Sequence, residues 1–395
     1  MANILIIGNG FDLYHHYPTR YTDFLFFVNY WELFKSEHSK ATFNVDPVAY
    51  IDISLSDKGE LTEKSIKDFA KYINAYDEKD IVMLDNKKDN HWINYFNTLL
   101  SNNQIAGNKW IDFEAEIQTA LGYIDLYFDT VISLEINKVI SYSIPPRAND
   151  FISDFNKGES EDLVLPLGAK RSRVDIAELN EIKKHYINNI LGNLNDLIIC
   201  LNIYMLDFVS IIKCHRYSEQ IKELCVSDSI QLLNFNYTDT FKCIYDKENL
   251  LSNHSVHGNA REWNVVLGIP DDSYDSTEYV YFQKYFQRIQ KKTGSFYKTW
   301  IKDTFKPIPV IDSSEDDYPQ VYILGHSLAE TDKGVLKDFF QNDSIKKITI
   351  FYHSQKSYED MVINLIELFG KEFVIENTGS ERVCFVKLIE AKAIE

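Results

Sequence analysis

Short apolar runs followed by helical periodicity mark the start of the chain. Residues 3–7 (NILII) end in four consecutive apolar residues, a pattern typical of a central strand buried on both faces of a parallel sheet. The run leads into the turn Gly8-Asn9-Gly10, and a segment with helical character follows from about residue 22 to 34. Strand, glycine turn and helix in this order predict the first unit of a nucleotide-binding α/β sheet.

The last third of the chain repeats this pattern. Apolar, β-branched runs predict strands at 230–235, 321–324, 347–352, 373–376 and 383–388, with helices after the second and third. Strands that alternate with helices predict a Rossmann-like, mostly parallel sheet with helices on both faces. Because 41–225 has mainly helical periodicity, we predict a discontinuous α/β domain (1–40 and 226–395) interrupted by a helical insertion domain (41–225).

Composition and charge exclude some classes of protein and disfavour others. The chain of 395 residues is 45% hydrophobic and 25% charged, which is typical of a folded protein and excludes intrinsic disorder. Its 41 basic and 59 acidic residues give a net charge of −18, which disfavours binding to a nucleic-acid backbone. The five cysteines include no C-x-x-C pair, so we predict no metal site and a reducing compartment. With no recognisable secretory signal or membrane span, we predict a cytoplasmic protein.

Four polar motifs follow predicted strands, where α/β proteins bind their ligands. They are Gly8-Asn9-Gly10-Phe11-Asp12, Asn234-Phe235-Asn236-Tyr237-Thr238-Asp239, Val256-His257-Gly258 and Gly325-His326-Ser327-Leu328-Ala329-Glu330-Thr331-Asp332. Two glycines after a strand allow close approach to a phosphate, although tight turns use glycine for steric reasons as well. The asparagines and the histidine likewise have structural interpretations, as turn residues and as a buried, hydrogen-bonded side chain.

The fourth motif has a second chemical interpretation, because Gly-His-Ser-Leu-Ala approximates the nucleophile elbow of serine hydrolases. That fold needs a histidine after the serine, and His353 is the only one downstream of Ser327. Few strands and helices can follow in the remaining residues. A serine esterase with Ser327 as nucleophile is therefore the weaker alternative.

The four motifs together resemble a known family. GNGFDL with YPTRYTDF near the start, NFNYTD with HGN in the middle and LGHSLAETD near the end are similar to the AbiH family of bacterial abortive-infection proteins. In the same order the motifs resemble the sirtuin-like fold, whose NAD site is built from such turns. The resemblance covers the first forty residues and about 230–370.

The sirtuin-like resemblance implies roles for individual residues. Asn236 would orient a water molecule near the ribosyl C1′ atom, and His257 would be the general base. Gly8 and Gly10 would approach the pyrophosphate, and Ser327 and Asp332 would lie beside the adenosine half. The full set implied to contact NAD is Gly8, Asn9, Gly10, Phe11, Asp12, Arg20, Gly325, Ser327 and Asp332.

Two departures from the sirtuin pattern qualify this expectation. Asp12 replaces a small hydroxyl residue, and a carboxylate beside a pyrophosphate is unfavourable. The zinc ribbon of protein deacylases is absent from the sequence, which argues against acyl-lysine removal.

The hypothesis is an antiphage effector that hydrolyses NAD⁺ as its substrate. The alternative is a nucleotide-sensing or partner-binding defence module without turnover. The implied partners are NAD or a related nucleotide, a phage-derived trigger and a second copy of the chain.

Overall fold

The chain divides into two compact units in the computed structural model. The structure describes residues 3–46, 50–72, 74–101, 111–137, 145, 147–148, 151–152, 176–227, 230–248, 250–271, 273–274, 277–305 and 319–393. The first unit spans Met1–Asp80, Leu201–Val266 and Gln287–Glu395, and the second spans Ile81–Cys200 and Leu267–Phe286. The division into a nucleotide-binding domain and an insertion domain at residues 40 and 225 stays a prediction.

A six-stranded parallel sheet forms the centre of the first unit. The strands among the described residues are β1 (Asn3–Ile7), β2 (Arg216–Tyr217), β3 (Ile230–Asn234), β4 (Ser252–Ser255), β5 (Val321–Leu324), β6 (Ile348–Tyr352), β7 (Val383–Lys387) and β8 (Lys392–Ala393). The sheet order is β4-β3-β1-β5-β6-β7, with every neighbouring pair parallel, while β2 and β8 pair antiparallel. Counted along the sheet's own strands, this is the order 3-2-1-4-5-6 of dinucleotide-binding Rossmann sheets. The predicted α/β, mostly parallel class is confirmed.

β1 is the central strand, and its apolar sequence is explained by burial on both faces. Ile4 and Ile6 pack on one side of the sheet, in a core that includes Phe339. Leu5 and Ile7 pack on the other side, in a separate cluster. Because successive side chains of a strand point to opposite faces, a strand covered on both sides needs an apolar residue at every position.

Helices occupy most of the remaining described chain. They are α1 (Asn9–Tyr14), α2 (Tyr21–Asn29), α3 (Trp31–His38), α4 (Glu63–Ala70), α5 (Glu78–Lys87), α6 (His91–Ser101), α7 (Phe113–Asn137), α8 (Ile176–Ile203), α9 (Glu219–Ser227), α10 (Thr240–Tyr245), α11 (Lys284–Gln290), α12 (Tyr297–Thr304), α13 (Lys333–Phe340), α14 (Gln355–Phe369) and α15 (Lys371–Gly379). The helix predicted at residues 22–34 is divided at Tyr30 between α2 and α3. The predicted helical character of 41–225 is confirmed for the residues that the structure describes.

One predicted strand is wrong. Residues 373–376 belong to helix α15, which starts after Gly370. Val374 is buried in the core, and the Phe373 ring lies 5.1 Å from that of Phe369. A short run of β-branched and aromatic residues does not distinguish a strand from a buried helix segment, and here tertiary packing selects the helix.

The segment Ile176–Val209 is the one helical stretch of the described residues that is long and apolar enough to cross a membrane. Within its most apolar window, 56% is buried inside the protein. The core helix of a soluble protein meets the same criteria of length and composition.

Candidate functional site

The two glycine turns at the carboxyl ends of β1 and β5 pack directly against each other. The Gly10 N–H donates to the Gly325 carbonyl oxygen at 2.7 Å, and the Gly8 N–H donates to the Leu324 carbonyl at 3.2 Å. Gly325 has a φ of 68°, and a Cβ atom there would lie 2.1 Å from the Phe11 nitrogen. Only glycine fits at this contact. The turns therefore have a structural reason for their glycines, and the expected pyrophosphate contacts of Gly8 and Gly10 stay a prediction.

Asp12 lies in α1 at the carboxyl end of β1 and is almost fully buried. Its carboxylate accepts hydrogen bonds from Asn236 Nδ2 at 3.1 Å and from Thr238 Oγ1 at 2.6 Å. Burial raises the pKa of Asp12 to about 7, against the lowering effect of hydrogen bonds from Thr238, Thr240 and Asn236. The carboxylate that departs from the sirtuin pattern is therefore engaged by side chains of the protein itself.

Asn236 is held in one orientation at the end of β3. Its backbone N–H donates to Asn234 Oδ1 at 2.8 Å, and its side-chain Nδ2 donates to Asp12. The side-chain Oδ1 is buried and accepts no hydrogen bond within the described part of the chain. The ionised form of Asp12 can only accept, so it fixes the amide with its nitrogen towards Asp12. The carbonyl oxygen of Asn236 remains as an acceptor for a ligand.

His257 follows β4 at the same level of the sheet at which Asn236 follows β3. The register pairs Asn234 with Ser255, and the Val256 N–H extends the ladder to the Asn234 carbonyl at 2.9 Å. Residues 236 and 257 each come two positions after this pair, on strands spaced about 4.8 Å apart. The structure thus brings the two predicted catalytic residues to the same edge of the sheet.

A partly buried carboxylate, that of Asp332, lies between two histidines beside this edge. His257 Nε2 lies 2.7 Å from Asp332 Oδ1, and His326 Nε2 lies 3.3 Å from Asp332 Oδ2. The Leu328 N–H donates to His326 Nδ1 at 2.9 Å, so the neutral His326 ring carries its proton on Nε2, the nitrogen that faces Asp332. The Phe235 ring makes an edge contact with both imidazoles. Asp332 therefore orients His257, whereas the expectation put it beside the adenosine half of NAD.

Three further predicted residues have other surroundings. Phe11 is part of the apolar core. Asn9 exchanges hydrogen bonds with Thr19, and its Oδ1 accepts from the hydroxyl at 2.6 Å. Ser327 is exposed, and within the described residues no histidine hydrogen-bonds to its hydroxyl group. Their expected contacts with NAD stay predictions, together with that of Arg20.

Arg20 precedes α2 and is tied to the loop that follows. Its Nη1 lies 3.3 Å from Asp23 Oδ2, and Nη2 donates to the Lys58 carbonyl at 3.1 Å. Burial raises the pKa of Asp23, partly offset by the Leu61 N–H and by Arg20. Arg20 also lines the cavity described below.

A cavity of about 830 Å³ borders the Gly325 turn and lies at the carboxyl ends of β5, β6 and β7. It is lined by Gly10, Leu13, Tyr14, His16, Arg20, Arg216, Leu324, Gly325, Phe351, His353, Met361, Lys387, Leu388, Ile389, Glu390 and Ala391. All of these residues belong to the first unit. Across the residues that the structure describes, no group of three or more His, Cys, Asp or Glu side chains is arranged to hold a metal ion.

His326 and Thr238 were not among the predicted site residues. Both residues lie inside motifs that follow predicted strands, and His326 directly follows a glycine at the end of one of these strands. The motifs therefore pointed to this part of the chain. The roles of the two side chains could not be predicted, because their partners come from distant segments of the sequence.

Comparison with known proteins agrees with the motifs. The family model for bacteriophage abortive infection AbiH proteins matches residues 4–354. The chain belongs to the AbiH family. Its role is accordingly in abortive infection, a bacterial defence against phage. No curated protein and no solved structure matches this AbiH protein.

Proposed function

We propose that this AbiH protein is an antiphage effector that binds NAD⁺ and hydrolyses its nicotinamide–ribose bond. The observation that carries the proposal is the position of Asn236 and His257 at the ends of neighbouring parallel strands, each hydrogen-bonded to a carboxylate. Ligands of open α/β sheets bind at this edge. The sirtuin-like interpretation adds NAD as the ligand, and that step rests on analogy.

Asn236 would hold the reacting water molecule. Its Oδ1 is the acceptor that the hydrogen bond to Asp12 leaves available, and an acceptor can orient a water hydrogen while the water oxygen faces C1′. Positioning of this kind removes part of the entropic barrier to attack.

His257 would accept the proton of that water. With Nε2 donating to Asp332, the neutral ring has its lone pair on Nδ1, which is the basic nitrogen. The C1′–N bond breaks with its electron pair leaving on nicotinamide, the water oxygen bonds to C1′, and its proton passes to His257. The products are nicotinamide, ADP-ribose and a proton. General-base help of this kind contributes about 10²–10⁴-fold in rate.

Asn236 and His257 are only 5% and 4% exposed, so a ligand can reach them only after this edge opens. Opening as a separate step suits an effector that stays inactive until infection. The phage-derived trigger and the cytoplasmic location belong to the same proposal.

The test follows NAD⁺ in infected cells, where the trigger is present. Bacteria that express the wild-type chain are challenged with a phage against which it protects, and NAD⁺ and nicotinamide are measured over time. We expect NAD⁺ to fall with the wild type but not with Asn236→Ala or His257→Ala. His215→Ala is the matched control, because His215 is half exposed and, among the described residues, pairs only with the exposed Asp52.

Three other outcomes would contradict hydrolysis or favour one of the alternatives. Protection with unchanged NAD⁺ would contradict hydrolysis. Thermal stabilisation by NAD⁺ without turnover would favour the sensing module, and about 2.7 kcal/mol is expected at one hundred times Kd. Loss of protection in Ser327→Ala with unchanged NAD⁺ would favour the serine esterase.

A further inference from the structure

The 830 Å³ cavity has a lining that fits an anion with a flat apolar part. We propose that this cavity, which we name the cationic pocket, binds a nucleoside phosphate, with Arg216 and Lys387 on the phosphate. The proposal deepens the proposed function and rests on it for the choice of a nucleotide over another planar anion. The expected contact of Arg20 with the ligand belongs to the same pocket.

The charges of the pocket are opposite to those of the whole protein. Arg20, Arg216 and Lys387 line it against the single carboxylate of Glu390, although the chain carries a net charge of −18. Charges of one sign that line a cleft focus the electric field there and raise the local concentration of ligands that carry the opposite charge. Three cations that face one carboxylate in a cleft of an acidic protein indicate an anionic ligand.

Two of these cations are available to a ligand. Arg20 is already paired with the buried Asp23. Arg216 lies 3.6 Å from Glu390, a carboxylate that is 88% exposed and can move away. Lys387 is exposed, and no described residue forms a hydrogen bond or ion pair with its ammonium group.

The electrostatic potential of the pocket is also visible at His16. Burial lowers the pKa of His16, and the charges of Arg216 and Arg20 lower it further. A neutral His16 is then a hydrogen-bonding group that does not need a counter-ion.

Apolar side chains form the remainder of the wall. Leu13, Tyr14, Phe351, Met361 and Leu388 line the same cavity. Small-molecule sites are lined mainly by apolar and aromatic groups, with a few polar groups that set orientation, and they enclose about 300–1,000 Å³. The volume therefore accommodates a base and ribose together with a phosphate.

The location agrees with this ligand. The pocket lies at the carboxyl ends of β5, β6 and β7, where open α/β sheets bind ligands, and it borders the turn at Gly325. The cluster around Asn236 and His257 lies at the ends of β3 and β4, so the two sites are at neighbouring parts of one sheet edge.

The test is isothermal titration calorimetry of the full-length chain with AMP, adenosine and inorganic phosphate as separate probes. We expect AMP to bind, and adenosine and phosphate each to bind at least about tenfold more weakly. Arg216→Gln and Lys387→Gln should each weaken AMP binding by about 10- to 100-fold, the range for a hydrogen bond to a charged group. Glu390→Gln should tighten it, a result that a folding defect cannot produce.

Lys371→Gln is the matched control, because Lys371 is exposed at the start of α15 and does not line the pocket. AMP that fails to bind, adenosine that binds as tightly as AMP, or Arg216→Gln and Lys387→Gln chains that bind AMP like the control would each overturn the proposal.

One further variant separates this proposal from hydrolysis. Asn236→Ala should bind AMP like the wild type, because Asn236 does not line the pocket. If AMP binding depends on Arg216 but the wild-type chain does not consume NAD⁺ during infection, the proposed function is refuted and the proposal of a nucleotide-binding pocket stands. If the wild-type chain consumes NAD⁺ but does not bind AMP, the pocket proposal is refuted and the proposed function stands.

Discussion

Asp12 should make the stability of this protein depend on pH, and replacing it with asparagine should remove that dependence. The carboxyl group is 1% exposed, and its pKa rises from an ordinary 3.8 to about 7. Because the folded state holds the proton more tightly than the unfolded state, the contribution of Asp12 to stability is fully present below pH 3.8. It falls as the pH rises and is lost above about 7.

The magnitude follows from the size of the shift. One pKa unit corresponds to about 1.4 kcal/mol, so the full effect is about 4 kcal/mol, most of it reached between pH 4 and 7. Between pH 5.5 and pH 8.5 the free energy of unfolding should fall by about 2 kcal/mol because of Asp12 alone. Asp12→Asn cannot ionise, so this part of the change should disappear.

The assay is urea-induced unfolding at both pH values for the wild type and the Asp12→Asn chain. The substitution also alters the contacts with Asn236 and Thr238, so its absolute stability is not the readout. The readout is the difference between the two chains, which should shift by about 2 kcal/mol in favour of Asp12→Asn at pH 8.5. Asp360→Asn removes an exposed carboxylate and serves as control. The same difference between wild type and Asp12→Asn at both pH values would refute the reasoning.

Two further variants probe the contacts on either side of the site. Asp332→Asn should reduce NAD⁺ consumption during infection by about 10²–10⁴-fold without loss of folded protein, because an amide can donate as well as accept and no longer fixes the proton of His257 on Nε2. Unchanged consumption would contradict this role of Asp332. Gly325→Ala should destabilise the chain by several kcal/mol in thermal unfolding, because a Cβ atom would collide with the Phe11 nitrogen. Gly294→Ala is the control: Gly294 has a φ of 75° but open space around it, so the substitution should cost only about 1–2 kcal/mol. Equal destabilisation by the two substitutions would refute the steric explanation.

Much of the sheet could be predicted from local sequence. The continuous apolar runs at 3–7 and 321–324 became β1 and β5 at the same residues. Burial on both faces leaves a direct trace in the sequence, because it requires an apolar side chain at each successive position. The run at 373–376 failed because four such residues also suit one turn of a buried helix.

The candidate site was only partly predictable. The motifs containing Asn236 and His257 were found because polar residues directly after a strand are a local pattern. The roles of Asp12 and His326 could not be predicted, because each role depends on which side chains the residue contacts in the folded chain. Asp12 meets an asparagine 224 positions away, and His257 meets its carboxylate 75 positions away.

The sequence by itself therefore determined the parallel α/β architecture, the glycine turns and the AbiH membership, since each depends on short patterns along the chain. Only the tertiary structure decided that Asp12 accepts a hydrogen bond from Asn236 and that Asp332 lies between His257 and His326. It also decided that basic side chains line one pocket of an acidic protein. These pairings follow from the order and register of the strands, which bring distant residues to one edge of the sheet. The hydrophobic effect that drives strands together is not directional, so the identity of the neighbours emerges only when the whole sheet is assembled.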